Sequence, residues 1–293
     1  MSTASSIAVG PAPIKTALVV DADPQVESVL GAALDPRRWV IQRASDNAQA
    51  TALIQASIYE LVITSERTSG KEDVALLRKL RGVHPHTKLI ILTDESTPAD
   101  VLASMREHAF SYFCRPLSDR SLAYMIQLAA EGPCWDDGID LLSATPAWMH
   151  LTARCDHYTA KRLVQFINEV AELPNIEKEE AATTFREILL NAIEHGGRFD
   201  DRQSVEIAYL RARQMVICRV KDPGQGFSLE EIRHTAMANP PEDPTRHDSY
   251  REAQGLRPGG YGVLIARHLV DDLIYDEKGN DVLLIKYLDA HSK

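Results

Sequence analysis

Three short segments hold residues whose types and spacing could do chemistry. Glu187, Asn191, Glu194 and His195 lie in REILLNAIEHGG, Asp222, Gly224 and Gly226 in VKDPGQGF, and Gly259, Gly260, Tyr261 and Gly262 in RPGGYGVLIARHL. Steps of four and three from Glu187 to Asn191 to Glu194 put these side chains on one face of a helix. An Asn amide oxygen there can complete the coordination of a Mg²⁺ otherwise held by phosphates and water. Glu187, one turn earlier, is placed to take a proton from an attacking hydroxyl or water. Asp222 closes the apolar run VICRVKD, and a carboxylate at a strand end can accept the exocyclic amine of adenine. Gly224 and Gly226 permit backbone conformations closed to other residues. Gly259, Gly260 and Gly262 stand just before VLIARHLVDDL, whose apolar residues recur at helical spacing. Glycine-rich backbone at a helix start turns unpaired N–H groups toward anions, phosphate above all.

Taken singly, these segments read as a solvated helix face, a turn and a loop. Their order, carboxylate helix, then strand-end Asp, then glycine-led helix, points to a site for ATP with Mg²⁺. Residues 228 to 258, between the second and third segments, mix prolines and charges without continuous pattern and suit a lid over the nucleotide.

The elements that must position this chemistry fall into two halves. Residues 16–131 alternate apolar strand candidates (TALVV, WVIQRA, ELVIT, KLIIL, SYFCR) with helical patterns, giving five βα units. Strands this uniformly apolar belong in a parallel sheet covered on both faces, a doubly wound α/β domain. EGPCWDDGIDLLSATP breaks the rhythm, so residues 132–146 are expected to be a linker, and residues 1–15 a flexible N-terminal segment. From 147 to 293 the pattern becomes α+β. AWMHLTAR reads as a strand, DHYTAKRLVQFINEVAEL and EKEEAATTFREILLNAIEH as long helices, and SVEIAYLRARQMVICRVKD as a hairpin. A helix after Gly262 and the strand DVLLIKYL complete a sandwich with helices on one face of a mixed or antiparallel sheet.

Composition excludes several classes. With 293 residues and 44% hydrophobic content the chain can build two cores. A formal charge of −10 without a basic block argues against nucleic acid as a partner. No apolar run reaches the roughly 20 residues needed to cross a bilayer, so a cytoplasmic protein with no membrane partner is expected. The four cysteines, at 114, 134, 155 and 218, show no close pair spacing, and His84-Pro-His86 is no metal pattern.

Residues 16–130 resemble the receiver domain of two-component response regulators. Such receivers carry an acidic pair after the first strand, a phosphorylatable Asp after the third, Thr or Ser after the fourth and Lys-Pro after the fifth. Here those places read Asp21-Ala22, Ser65, Thr93 and Arg115-Pro116. Loss of the carboxylates removes most ligands for Mg²⁺. Asp23 could stand in for one of them. A one-residue shift would bring Glu66 to the acceptor place as a permanent charge. Arg115 keeps the positive charge without the compact ammonium of lysine. The resemblance therefore implies a pseudo-receiver that signals by protein contact, or else a dimerisation scaffold.

Residues 147–290 resemble the GHKL (Bergerat-fold) ATPases. The three segments match the N box and the two glycine boxes of that superfamily. The form ExxxNAxEHG, the opening AWMHLTARCDHYTAKRLV and the ending VDDLIYDEKGNDVLLIKYL are most similar to anti-sigma factor serine kinases. That resemblance implies Glu187 as general base, Asn191 as Mg²⁺ ligand and Asp222 as adenine contact. It implies Gly224, Gly226, Gly259, Gly260, Tyr261 and Gly262 as nucleotide loops, with Arg257 reaching the γ-phosphate. The helical hairpin with a phosphoacceptor His that a sensor histidine kinase requires is not found upstream. The implied activity is phosphorylation of Ser or Thr on an anti-sigma-factor antagonist, with a sigma factor as a second partner and a homodimer as the assembly. A nucleotide-gated binding module that transfers nothing is the alternative, and an ATPase domain that has lost its nucleotide a third reading.

Overall fold

The computed structural model describes residues 14–20, 23–64, 70–132, 136–171, 173, 175–226, 243, 245–253 and 261–288. The chain divides into two compact units: Met1–Ser96 with Ala109–Asp136, and Thr97–His108 with Asp137–Lys293.

The first unit holds a five-stranded sheet of β1 (Lys15–Val20), β2 (Trp39–Ala44), β3 (Leu61–Ile63), β4 (Lys88–Thr93) and β5 (Ser111–Cys114), in the order β2-β1-β3-β4-β5. Every pairing is parallel. All six residues of β4 are buried, including Leu89 to Leu92, as a strand covered on both faces requires. Helices α1 (Pro24–Ala33), α2 (Asn47–Ala56), α3 (Gly70–Val83) and α5 (Asp119–Glu131) join the strands. The Asp23 side chain accepts from the Val26 N–H and Pro24 occupies the first turn, which fixes where α1 begins. Asp46 and Ser118 cap α2 and α5 in the same way. The helix between β4 and β5 in the chain, α4 (Pro98–Arg106), starts with a full capping box between Thr97 and Asp100 and groups with the second unit.

The second unit is built on an antiparallel sheet of β6 (Ile139–Thr145), β7 (Trp148–Arg154), β8 (Ser204–Arg211), β9 (Met215–Lys221), β10 (Asp272–Tyr275) and β11 (Asp281–Tyr287). Its order is β10-β11-β9-β8-β7-β6. Alternation decides its faces. Met149, Leu151 and Ala153 of β7, Val205, Ile207 and Tyr209 of β8, and Val216, Cys218 and Val220 of β9 are buried. Helices α6 (His157–Val170) and α7 (Asn175–Asn191) pack on this sheet. Leu163, Phe166 and Ile167 from α6, and Phe185, Ile188 and Leu189 from α7, complete the core. Among the described residues, helices α8 (Arg246–Ala253) and α9 (Gly262–Leu269) follow β9.

Three expectations change. The segment 132–146 is not all linker, because Ile139–Thr145 forms β6 and pairs with β7. Its Gly138, at φ +69°, permits the turn into that strand despite the breaker-rich sequence. Residues 246–253, inside the span read as patternless, form α8, a helix whose strongly polar composition hides any apolar stripe. The helix read through His195 ends at Asn191 and gives way to a π turn at Ala192–Gly196.

Candidate functional site

Glu187 lies in the fourth turn of α7 with one oxygen, Oε1, accepting from Arg186 Nη2 at 2.8 Å. Its other oxygen, Oε2, faces the start of α9. A Cβ on Gly262 would stand 2.6 Å from it, so any side chain there would have to push the carboxylate aside. The first and third sequence segments therefore touch.

The π turn brings in the second segment. It carries an extra residue per turn and closes through the Gly197 N–H on the Ala192 carbonyl at 2.8 Å. Gly196 is thereby set against Asp222 so closely that any side chain would run into the carboxylate. Helical spacing consequently stops at Asn191, and Glu194 does not continue the face shared by Glu187 and Asn191. The sequence gives no sign of this turn beyond the paired glycines at its end.

Asp222 follows β9. Its Oδ1 accepts from the Gly224 N–H at 2.7 Å, and a Cβ on Gly224 would meet that oxygen at 2.8 Å and the Gly196 Cα at 2.9 Å. Burial pushes the Asp222 carboxyl upward, the Gly224 bond works downward, and the Asp276 and Asp281 charges push up again. The outcome is above the ordinary value. Gly226, at φ +80°, has its Cα side closed by the Lys278 carbonyl.

The β10–β11 hairpin holds this loop, which the sequence reading did not foresee. The Asn280 Nδ2 donates to the Asp222 carbonyl at 3.2 Å and to the Gly224 carbonyl at 3.1 Å, while the Asp222 N–H donates to the Asn280 carbonyl at 2.9 Å. Asp276 fixes the turn by accepting through Oδ1 from the Gly279 N–H at 2.8 Å and the Asn280 N–H at 3.1 Å. The sequence Asp276-Glu-Lys-Gly-Asn is an Asx-turn pattern, a signal that could have pointed to these residues.

Tyr261 caps the approach to α9, and its hydroxyl donates to Asp248 Oδ2 of α8 at 2.9 Å. Arg257, Gly259 and Gly260 lie outside the described residues, as does most of the expected lid. The structure thus brings Glu187, Gly262, Asp222, Gly224 and the π turn together as one cradle of small residues flanked by two carboxylates.

In the first unit, Asp21, Ala22, Ser65 and Glu66 lie outside the described residues. Asp23, Thr93 and Arg115 stand at the carboxyl ends of β1, β4 and β5, as expected of a parallel sheet. The Arg115–Pro116 bond is cis. Thr93 is turned onto its own loop, its hydroxyl donating to the Glu95 carbonyl at 2.9 Å. Burial raises the Asp23 carboxyl, but the Val26 N–H and the Arg115 guanidinium outweigh it and leave the group below its usual range.

Among the described residues no cluster of His, Cys, Asp and Glu suits a metal ion, and no helix is long and apolar enough to cross a membrane. Cys114, Cys155 and Cys218 are free thiols.

A five-stranded parallel α/β unit followed by an antiparallel sheet with a carboxylate and glycine cradle defines a signalling protein that binds ATP. Family models agree: residues 17–127 match the response regulator receiver domain, and residues 151–286 match the histidine kinase-like ATPase domain. The chain thus carries a receiver domain followed by a histidine kinase-like ATPase domain. Curated relatives include the transcriptional regulatory protein GlrR of Escherichia coli K12, 26% identical over 39% of this chain and 26% of GlrR. CpxR of Klebsiella pneumoniae is 28% identical over 41% of this chain and 51% of its own length. The chain therefore spans about half or less of these relatives. Among solved structures it is similar to a CheY-like receiver domain protein of Methanospirillum hungatei, with 22% identity, 39% of this chain and 91% of that one covered, and a TM-score of 0.33.

Proposed function

We propose that the protein is an anti-sigma-type serine/threonine kinase that transfers the γ-phosphoryl group of MgATP to a small anti-sigma-factor antagonist. The observation that carries this is the carboxylate of Glu187. One oxygen is tied to Arg186, and the other is held against the glycine that opens α9. A carboxylate so fixed at a helix start is suited to take the proton of an incoming hydroxyl.

The cradle fits a nucleotide because Gly196, Gly224 and Gly262 leave no side chain between the three segments. Asp222 would orient the adenine, Asn191 would complete the Mg²⁺ shell, and the glycine backbone would receive the phosphates. Bound MgATP supplies the phosphoryl group. Positioning and charge neutralisation by these residues do the rest. On this reading the first unit is a pseudo-receiver that controls the kinase through protein contact. The sigma factor and the unphosphorylated antagonist compete for the ATPase unit, and the active form is a homodimer.

Glu187→Ala is expected to lower transfer to a Ser-bearing antagonist by about 10²–10⁴-fold while leaving ATP affinity within a few fold. Asp222→Asn is expected to weaken ATP binding by roughly 10–100-fold. Radiolabel transfer and nucleotide titration read these separately. Wild-type protein that binds ATP yet labels no antagonist would sink the kinase reading and leave nucleotide-gated binding.

A further inference from the structure

Arg115 follows β5, and its guanidinium reaches three groups elsewhere in the first unit. Nη2 lies 2.5 Å from Asp23 Oδ2, Nε lies 3.0 Å from Asp94 Oδ1, and Nη1 donates to Gln25 Oε1 at 3.3 Å. The Arg115 and Asp23 side chains are each only 19% exposed. Both Asp23 oxygens have a partner, since its Oδ1 caps α1 through the Val26 N–H at 2.9 Å. The Arg115 N–H adds a bond to the Thr93 carbonyl at 2.9 Å.

This is the carboxyl edge of the sheet, where the receiver family implies a Mg²⁺ ion. Mg²⁺ demands near-octahedral oxygen ligands at short distance. The described carboxylates of this edge already face a cation: Asp23 Oδ2 and Asp94 Oδ1 lie against the same guanidinium, while Asp23 Oδ1 caps α1. A lysine would offer one point charge, whereas the planar fork of arginine reaches two carboxylates at once.

We infer that the Arg115 guanidinium is the resident cation of the first unit. It takes the place of a divalent metal ion and clamps the loops after β1, β4 and β5 without one. These two carboxylates therefore do not take up Mg²⁺, whatever chemistry the ATPase unit performs.

The test uses the full chain without nucleotide. Mn²⁺, the probe for the divalent site, is titrated and followed by its electron paramagnetic resonance signal, and melting is recorded with and without millimolar Mg²⁺. Wild-type protein is expected to leave the free Mn²⁺ signal unchanged and to melt at the same temperature in both buffers. Arg115→Ala is expected to melt lower, to deplete the Mn²⁺ signal, and to recover its melting temperature with Mg²⁺. Arg115→Lys is expected to fall between the two. Wild-type binding of Mn²⁺ that Asp23→Asn abolishes would overturn the inference, and this comparison stands even if Arg115→Ala does not fold. An Arg115→Ala protein as stable as wild type and indifferent to both ions would overturn it as well. Since no nucleotide or antagonist is present, neither result depends on the kinase reading.

Discussion

Gly262 and Asp222 show how single atoms decide the site. A methyl group at Gly262 would press on Glu187 Oε2, 2.6 Å from its Cβ. Gly262→Ala is therefore expected to displace the carboxylate and cut phosphoryl transfer by about 10²-fold, the usual cost of a misplacement near 1 Å. The fold should survive, so circular dichroism stays unchanged while single-turnover transfer falls. Asp222 predicts a pH dependence. Its folded pKa is raised, so on acidification the native carboxylate takes up a proton before the unfolded one does. Ionised Asp222 thus costs stability at neutral pH, and that cost disappears as pH falls through the raised value. Adenine recognition runs the opposite way, since the charged form is the stronger acceptor. ATP affinity is therefore expected to weaken on acidification, beginning at a pH above the ordinary aspartate value. A purine nucleotide lacking the exocyclic amine should show no such step, and equilibrium titration of both across pH checks it.

At the level of elements, the β10–β11 hairpin is the support for the Asp222–Gly226 loop. Asn280→Ala removes two bonds to the Asp222 and Gly224 carbonyls, so ATP affinity is expected to fall by about 5–10-fold, near the worth of one net hydrogen bond. Titration against Glu187→Ala separates this loss of binding from a loss of transfer. A second element contact concerns stability alone. The Arg162 side chain, 1% exposed on α6, pairs with Asp137 ahead of β6 at 2.6 Å. Arg162→Ala leaves that carboxylate without its charge partner on α6 and is expected to cost about 3–5 kcal/mol, read by chemical denaturation. The strands of the parallel sheet were legible because burial on both faces writes a continuous apolar run, as in KLIIL. Strand β6 was not, because an edge strand with Asp140 and Ser143 lacks such a run. The places of Glu187 and Asn191 on α7, and of Asp222 just after β9, were legible through their spacing and the apolar run before Asp222. Asn280 was not, because its role lies in backbone carbonyls distant in sequence, which no local pattern encodes.

At the scale of the whole molecule, the described glycine and carboxylate cradle lies in the unit with the antiparallel sheet. ATP at about 100 times its dissociation constant is expected to stabilise that unit by about 2.7 kcal/mol, and calorimetry of the full chain reads the shift. Both borders of the six-stranded sheet are irregular. Strand β6 carries a bulge between Leu141 and Ser143, and β10 is only four residues long with Asp271 and Asp272 at its start. A bulge twists a border strand, while shortness and charge leave little backbone for another chain to copy. The sheet thus offers no straight template for a foreign strand. Growth by strand addition at these two borders, the route to fibrils and swapped assemblies, is thereby disfavoured.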